Sequence, residues 1–188
     1  GTGHATGLIS PDSERTFGTY LMAAMELTAE EMSPEIFQNY GILHIEGYLV
    51  QNHALIEAAL KTAKASGLLV SIDMASFNIV EANIGFLNRI IREYVDIVFA
   101  NEEEAIALTG RQPEEALYAI SEMCDLAIVK LGAHGSLIKQ GNQVIHIDAI
   151  PAVSVDTTGA GDIYASGVLY GISENLDLET AGKIGSLL

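Results

Sequence analysis

Asp156-Thr157-Thr158-Gly159-Ala160-Gly161-Asp162 lies between a β-rich segment, residues 143–155, and a run of small residues, 165–171, that favours a helix. Two glycines on either side of an alanine leave the backbone N–H groups of this stretch uncovered by bulky side chains. At a helix N-terminus such N–H groups lack intrahelical acceptors, and the helix dipole adds positive charge there. The stretch therefore predicts a strand-to-helix turn that can bind an anion.

A carboxylate follows the two glycines directly. Asp162 is placed to accept the proton of a hydroxyl group, while the N–H groups of Gly159, Ala160 and Gly161 hold a phosphoryl group during its transfer. An anion site with an adjacent base is the equipment that phosphoryl transfer to an alcohol requires. The alternative that these residues leave open is a glycine-rich helix cap that binds nothing.

The complete string resembles the signature of the ribokinase/PfkB family of sugar and nucleoside kinases. The resemblance implies an α/β fold and phosphorylation of a primary alcohol that depends on ATP and Mg²⁺. By this resemblance Asp162 is the catalytic base, and Gly159, Ala160 and Gly161 form the anion hole. Thr157 and Thr158 are then expected beside the nucleotide.

The composition excludes several classes of protein. There are 25 Asp and Glu residues against 9 Lys and Arg, which gives a net charge of −16, and no basic stretch offers a surface for nucleic acid. No apolar run approaches the roughly 20 residues that span a bilayer, so we expect no membrane segment. The single cysteine, Cys124, excludes an internal disulfide and fits a reducing compartment, which favours a structural thiol and a cytoplasmic protein.

The chain of 188 residues is long enough for one domain with a sizeable core. It begins Gly1-Thr2-Gly3-His4, without Met, and ends Ser186-Leu187-Leu188 in an apolar segment that favours a helix. Members of the resembled family are longer at both ends. We therefore expect residues 1–188 to be one partial kinase domain, truncated at both ends, and a signal peptide would lie outside such a chain.

Strands alternate with helices along the middle of the chain. The predicted strands are residues 42–45, 68–72, 96–99 and 126–131, and the predicted helices are residues 52–66, 80–94, 101–109 and 113–123. This order predicts a parallel sheet with helices on both faces. Two hairpins flank it, at residues 6–21 and 136–147. The resemblance implies a ribokinase-like three-layer α/β/α fold with a mostly parallel central sheet, and an N-terminal hairpin, residues 1–21, that belongs to a lid.

Asn101-Glu102-Glu103-Glu104 opens one of the predicted helices. Asn101 and Glu104 are three residues apart, so an amide oxygen and a carboxylate share one helix face. Such oxygens suit a hydrated Mg²⁺ ion, although an N-cap with an acidic first turn explains the same spacing. The spacing also resembles the family's Asn-x-x-Glu motif, which implies that these two residues handle Mg²⁺, chiefly through waters.

A glycine turn follows the last predicted parallel strand, in Val129-Lys130-Leu131-Gly132-Ala133-His134-Gly135. Gly132 and Gly135 allow the backbone to approach another group closely. The string resembles the family's loop beside the ATP phosphates and ribose. We therefore expect Lys130 to reach a phosphate and Gly132 and Gly135 to line the nucleotide; an ordinary glycine hairpin is the alternative.

Two segments bear on the substrate. The run Asp12-Ser13-Glu14-Arg15-Thr16 resembles the adenosine-kinase-like branch of the family, although Arg15 also suits a hairpin salt bridge. Residues 73–78 lack the Arg and Pro that family members often have there, which favours a nucleoside over a simple sugar. We expect a sugar or nucleoside substrate, with adenosine favoured. Fructose, ketodeoxygluconate and a hydroxymethyl-pyrimidine remain alternatives, as does a catalytically inactive nucleotide-binding regulator.

The expected partners are therefore small molecules, with no nucleic acid and no membrane. An exposed hairpin edge would also be available for pairing with a second copy of the chain. The sequence thus predicts a homodimer formed through the lid.

Overall fold

The computed structural model describes residues 1–9, 15–152 and 157–188, and these ranges contain eight strands and seven α-helices. The strands are β1 (His4–Ile9), β2 (Arg15–Tyr20), β3 (Ile42–Glu46), β4 (Leu69–Asp73), β5 (Ile97–Asn101), β6 (Leu126–Lys130), β7 (Ser136–Gln140) and β8 (Gln143–Ile147). The helices are α1 (His53–Ala65), α2 (Phe77–Ala82), α3 (Ile84–Tyr94), α4 (Glu102–Thr109), α5 (Pro113–Ser121), α6 (Ala160–Ser173) and α7 (Leu178–Leu187). Short 3-10 turns lie at Met22–Glu26, Ala29–Glu31, Pro34–Phe37, Gly47–Gln51 and Gly132–His134.

Strands β3 to β8 form one six-stranded sheet in which strands that are consecutive along the chain are also neighbours in space. β3, β4, β5 and β6 pair in parallel, and β7 and β8 continue the sheet in antiparallel pairing. At least one helix connects each parallel pair, because a parallel connection must return the chain to the starting edge. The predicted mostly parallel sheet is confirmed.

Helices cover both faces of this sheet. On one face the valines Val70, Val98 and Val129 pack with buried side chains from α1 to α5. On the other face Phe99 and Ile128 pack with buried residues of α6 and α7. The three-layer α/β/α fold expected from the sequence is therefore confirmed.

One predicted helix is divided in two. Residues 80–94 were expected to be mostly one helix, but α2 ends and α3 begins at Asn83, whose backbone (φ −125°, ψ 18°) departs from helical values. The side-chain amide of Asn83 donates to the carbonyl oxygen of Ile79 at 2.9 Å. An Asn side chain that bonds to the preceding turn competes with helix propagation, which a periodicity argument does not register.

Helices α6 and α7 pack with their backbones nearly in contact. A Cβ atom built on Gly167 would lie 2.7 Å from the Cα atom of Gly185, and one built on Gly171 would lie 2.6 Å from the Cβ atom of Ala181. Both distances are too short for non-bonded carbon atoms. Glycine at these two positions of α6 is therefore required for the observed packing, and that packing fixes the course of the helix that begins at Ala160.

The hairpin β1–β2 forms a separate two-stranded antiparallel sheet. Three of its apolar side chains are exposed: Leu8 is 65% exposed, Ile9 66% and Tyr20 62%. The predicted hairpin is confirmed, the connection between its strands lies outside the described residues, and its role as a lid stays a prediction. No helix in the described ranges is both long and apolar enough to cross a membrane.

The α6–α7 contact predicts a specific sensitivity to one methyl group. Gly167→Ala should lower the free energy of unfolding by about 1–3 kcal/mol, because the added methyl group overpacks the helix contact. Gly85→Ala is the matched control, since an added Cβ atom there has no neighbour within 4 Å. That variant should be neutral, or up to about 1 kcal/mol more stable. Urea unfolding followed by circular dichroism measures both, and equal stability of the two variants would contradict the packing argument.

Candidate active site

Four parallel strands end at the same edge of the sheet, and each ends in a polar side chain. These residues are Glu46, Asp73, Asn101 and Lys130, the last residues of β3, β4, β5 and β6. Ligands of open α/β sheets bind at this edge because the connecting loops diverge there. The N-terminus of α6 reaches the same edge, since Gly161 lies beside the Lys130 ammonium group.

The turn into α6 has the conformation that its glycine suggested. Gly159 is the N-cap with φ 77° and ψ 1°, a left-handed conformation that favours glycine. The N–H of Ala160 donates to the carbonyl oxygen of Thr157 at 3.2 Å, and the N–H of Ile163 makes the first bond to Gly159 at 2.9 Å. Asp162 occupies the third helical position and is exposed, so its carboxylate is accessible to a substrate. Asp156 lies outside the described residues.

A cavity of about 620 Å³ lies beside this turn. Seven of the predicted site residues line it: Asn101, Lys130, Gly132, Gly135, Thr158, Ala160 and Gly161. The other four, Thr157, Gly159, Asp162 and Glu104, are not among the lining residues. Most of the residues predicted from the sequence therefore lie in the wall of one cavity. Asp162 directly follows one of them, Gly161, in α6.

The glycine turn after β6 forms one side of this cavity. Gly132 and Gly135 both have positive φ values, 53° and 84°. A Cβ atom built on Gly135 would lie 1.9 Å from the carbonyl oxygen of Ile147, so no other residue fits there without movement of the backbone. Gly135 allows the loop to pass against the end of β8, which accounts for this glycine by fold alone and leaves its backbone at the cavity wall.

Lys130 and Asp73 form an ion pair beside the first turn of α6. The ammonium nitrogen of Lys130 donates to Oδ2 of Asp73 at 2.5 Å, and the two side chains are only 16% and 6% exposed. A Cβ atom built on Gly161 would lie 3.1 Å from the same nitrogen. The cation therefore lies between a buried carboxylate and the first turn of α6.

Asn101 and Glu104 form a complete capping box. The side-chain oxygen of Asn101 accepts from the N–H of Glu104 at 2.9 Å, and the carboxylate of Glu104 accepts from the backbone N–H and the amide group of Asn101, both at 2.8 Å. Glu104 is 3% exposed, and burial raises its pKa to about 7, partly offset by the Asn101 hydrogen bond. The capping box therefore explains the three-residue spacing of Asn101 and Glu104 on structural grounds alone.

The same pair retains acceptors for a hydrated cation. Each carboxylate oxygen of Glu104 accepts one bond in the capping box and keeps a second lone pair, but this side chain is buried, and of the two residues it is Asn101 that lines the cavity. In the described ranges no three His, Cys, Asp or Glu residues are grouped as direct ligands of a metal ion. These residues fit a Mg²⁺ ion that keeps most of its water, and they do not form a cage.

Several carboxylates lie near Asp162 at this edge of the sheet. Burial, followed by the charges of Asp73 and Asp162, raises the pKa of Glu46. Burial and the charges of Glu104, Glu46, Asp162 and Asp73 likewise raise the pKa of Tyr48. The acids at the ends of β3 and β4 and in the first turn of α6 therefore lie in one region, with Lys130 in contact with Asp73.

Comparison of the sequence with protein families identifies the family of this chain. The sequence profile described as pfkB family carbohydrate kinase matches residues 1–188. The chain belongs to the pfkB family of carbohydrate kinases.

Solved structures of similar proteins have the same fold. An adenosine kinase from Sinorhizobium meliloti superimposes with a TM-score of 0.92 at 32% identity, over 99% of this chain and 59% of that one. A probable sugar kinase from Rhizobium etli CFN 42 gives a TM-score of 0.92 at 34% identity, over 98% of this chain and 58% of that one. An uncharacterized sugar kinase from Archaeoglobus fulgidus is 26% identical over 164 residues, which are 85% of this chain and 63% of that protein. The chain thus spans about 60% of the length of these relatives.

Sequence reasoning missed part of the cavity wall of this pfkB-family chain. Ser136 and Tyr164 line the cavity and share a hydrogen bond of 2.6 Å between their hydroxyl groups. Burial raises the pKa of Tyr164. Gly185 and Ser186 of α7 also line it. Nothing local in the sequence identifies the two α7 residues, because α7 reaches the cavity through tertiary packing on α6 and on the sheet.

The remaining candidates lie away from the cavity wall. Burial raises the pKa of the Cys124 thiol to about 12, which agrees with the structural role expected for it. His44 bonds through Nδ1 to the hydroxyl group of Ser71 at 3.0 Å, on the sheet face that carries Glu46. The run Asp12 to Glu14 lies outside the described residues, so the proposed adenosine-type motif stays a prediction.

Proposed function

We propose that this chain is the greater part of a kinase that transfers the terminal phosphoryl group of ATP to a primary hydroxyl of a nucleoside or sugar, with Mg²⁺ as cofactor. One observation carries the proposal: the exposed carboxylate of Asp162 follows directly on the glycine turn that, with Lys130, lines the cavity. The acid, the uncovered backbone and the cation lie at one end of one helix. Phosphoryl transfer needs these three kinds of group together.

The nucleotide occupies the cavity in this proposal. Gly132 and Gly135 present backbone to it, and its phosphates extend toward residues 159–161 at the N-terminus of α6. There the helix dipole and the ammonium group of Lys130 favour negative charge. Bound Mg²⁺ would offset the remaining phosphate charge, and Asn101 and Glu104 would hold it through waters.

Asp162 acts as the general base. It accepts the proton of the substrate hydroxyl as the oxygen attacks the phosphorus atom, and it is exposed, so a substrate can reach it.

We propose a nucleoside, with adenosine tested first, as the acceptor. The Sinorhizobium protein of 32% identity is described as an adenosine kinase, and residues 12–16 resemble that branch. The other two relatives are described as sugar kinases, so sugars form the second group of acceptors. We further propose that residues 1–188 belong to one kinase domain, that residues 1–21 form its lid, and that the protein is cytoplasmic.

The first test is turnover. Full-length protein should release ADP from MgATP with adenosine, or with one of ribose, fructose or ketodeoxygluconate. Asp162→Asn should lower kcat by a factor of about 10² to 10⁴, because the base is lost, while the Kd for ATP changes little. Asp125→Asn, an exposed acid at the opposite edge of the sheet, is the control and should keep full activity. An Asp162→Asn enzyme with normal kcat would refute the mechanism, and ATP binding without turnover of any alcohol would favour an inactive nucleotide-binding protein.

The capping box yields a second prediction, because two helices carry the same kind of cap. Asn101 caps α4 and Asn52 caps α1, each by accepting a backbone N–H. Asn101→Ala and Asn52→Ala should each cost about 1 kcal/mol of stability. Only Asn101→Ala should raise the Mg²⁺ concentration for half-maximal activity, by about tenfold or more. Equal Mg²⁺ requirements in both variants would reduce Asn101 to a helix cap.

The exposed hairpin yields a third prediction. We propose a homodimer in which the apolar side chains of β1 pack against a second copy of the chain. Full-length protein should scatter X-rays as a dimer, and Leu8→Glu should convert it to a monomer. Val144→Glu is the control, since Val144 is 43% exposed on the edge strand β8. A monomeric wild type, or dissociation by both variants alike, would contradict this interface.

A further inference from the structure

We infer that Asp73 is a positioning residue that holds the Lys130 ammonium group against the glycine turn at the start of α6, residues 159–161. The inference rests on the proposed function, which assigned a role to Lys130 and none to Asp73. The two residues are in direct contact, because the ammonium nitrogen of Lys130 lies 2.5 Å from Oδ2 of Asp73.

The two residues come from strands that are not neighbours. Asp73 ends β4 and Lys130 ends β6, with β5 between them in the sheet. Their ion pair therefore crosses over the strand that ends at Asn101. A cross-strand contact of this kind ties the carboxyl ends of three strands together at the cavity.

The carboxylate of Asp73 is itself held in place. Its Oδ1 accepts from the N–H of Ala75 at 3.2 Å, and Ala75 adopts φ 64°, a left-handed conformation that costs a non-glycine residue energy. On the other side a Cβ atom built on Gly47 would lie 2.6 Å from the Asp73 carbonyl oxygen. The backbone at Asp73 is thus fixed from both sides, so its Oδ2 offers Lys130 a rigid acceptor.

Stability alone gives little reason for such a pair. Removing two charges from water costs about as much as their attraction returns, so buried ion pairs contribute weakly to stability. A pair of the same two residue types, Lys64 and Asp96, lies at the opposite edge of the sheet at 2.7 Å and is more exposed, at 36% and 16%. The burial of Lys130 and Asp73 at the cavity is therefore better explained by a requirement for placement.

The placement leaves the ammonium group available to an anion. Lys130 has three N–H donors, and Asp73 Oδ2 accepts one of them. Lys130 is the only cationic side chain among the described residues that line the cavity. A methyl group on Gly161 would lie 3.1 Å from this nitrogen, so the glycine also preserves the space that the ammonium group and a phosphate would share.

The test is a double-mutant cycle in the full-length protein, using Asp73→Glu and Lys130→Met. Asp73→Glu keeps the charge and moves the carboxylate by one methylene group, so it separates placement from electrostatics. It should lower kcat by about tenfold to 10²-fold, with a KM for the alcohol within about twofold of the wild type. It should also weaken the binding of metal-free inorganic tripolyphosphate, measured by calorimetry, by at least about threefold.

Neither loss should occur when Asp73→Glu is made in the Lys130→Met background. Equal losses in both backgrounds, or no loss in the wild-type background, would overturn the inference. Asp96→Glu is the matched control for the second Lys–Asp pair and should change neither kcat nor binding. If Asp73→Glu does not fold, as judged by its melting temperature, Asp73→Asn takes its place in the cycle, with the same loss of kcat expected only when Lys130 is present.

The tripolyphosphate measurement separates this inference from the proposed function. Coupling in binding without turnover of any alcohol would refute the kinase proposal and leave the Asp73–Lys130 inference standing. Turnover of an alcohol without coupling between Asp73 and Lys130 would support the kinase proposal and refute the Asp73–Lys130 inference. A wild type that binds no tripolyphosphate would overturn the inference outright.

Discussion

The close packing of α6 on α7 is the constraint on which the candidate active site depends. Gly167 and Gly171 bring the backbones of the two helices almost into contact, and this contact sets the axis along which α6 approaches the sheet. The first turn of α6 carries Gly161 and Asp162, so a change in that axis would move both relative to Lys130. Gly167 and Gly171, which lie far along α6 from the candidate site, thus determine where Gly161 and Asp162 lie relative to Lys130.

Electrostatics at the edge of the sheet presents an apparent conflict. Glu46, Asp73, Glu104 and Asp162 lie near one another there, in a chain of net charge −16, yet we assign the cavity beside them to a polyphosphate. Position resolves the conflict: Glu104 is buried and bonded within its own capping box, and Asp73 is paired with Lys130. The cavity wall carries the Lys130 ammonium group, glycine backbone and the N-terminus of α6, together with apolar side chains and one acid, Glu102. Local partial charges, rather than the net charge of the chain, decide what the cavity can bind.

Much of this arrangement could be read from the sequence, because it depends on local chemistry. The alternation of strands and helices fixed the parallel sheet, and the seven-residue string located the helix N-terminus at Gly159. Parallel strands must end at a common edge, which brought Asn101, Lys130 and part of the string (Thr158, Ala160 and Gly161) to one cavity. Contacts between distant segments were not readable: the pairing of Asp73 with Lys130 spans 57 residues, and that of Ser136 with Tyr164 spans 28.

The capping box shows why sequence spacing alone left two interpretations of Asn101 and Glu104. The geometry that satisfies the N-terminus of α4 uses the same oxygens that would accept bonds from metal-bound waters. Because α4 starts at the end of a parallel strand, the residue that caps it also lies at the edge of the sheet where the cavity opens. A cap at this position can therefore acquire a second role without any change of residue, whereas Asn52, which caps α1, is not among the residues that line the cavity. The structural and functional explanations of Asn101 and Glu104 are therefore compatible. The two residues cap α4, and the position of this cap beside the cavity allows Asn101 to contact the hydrated Mg²⁺ ion of the proposed mechanism.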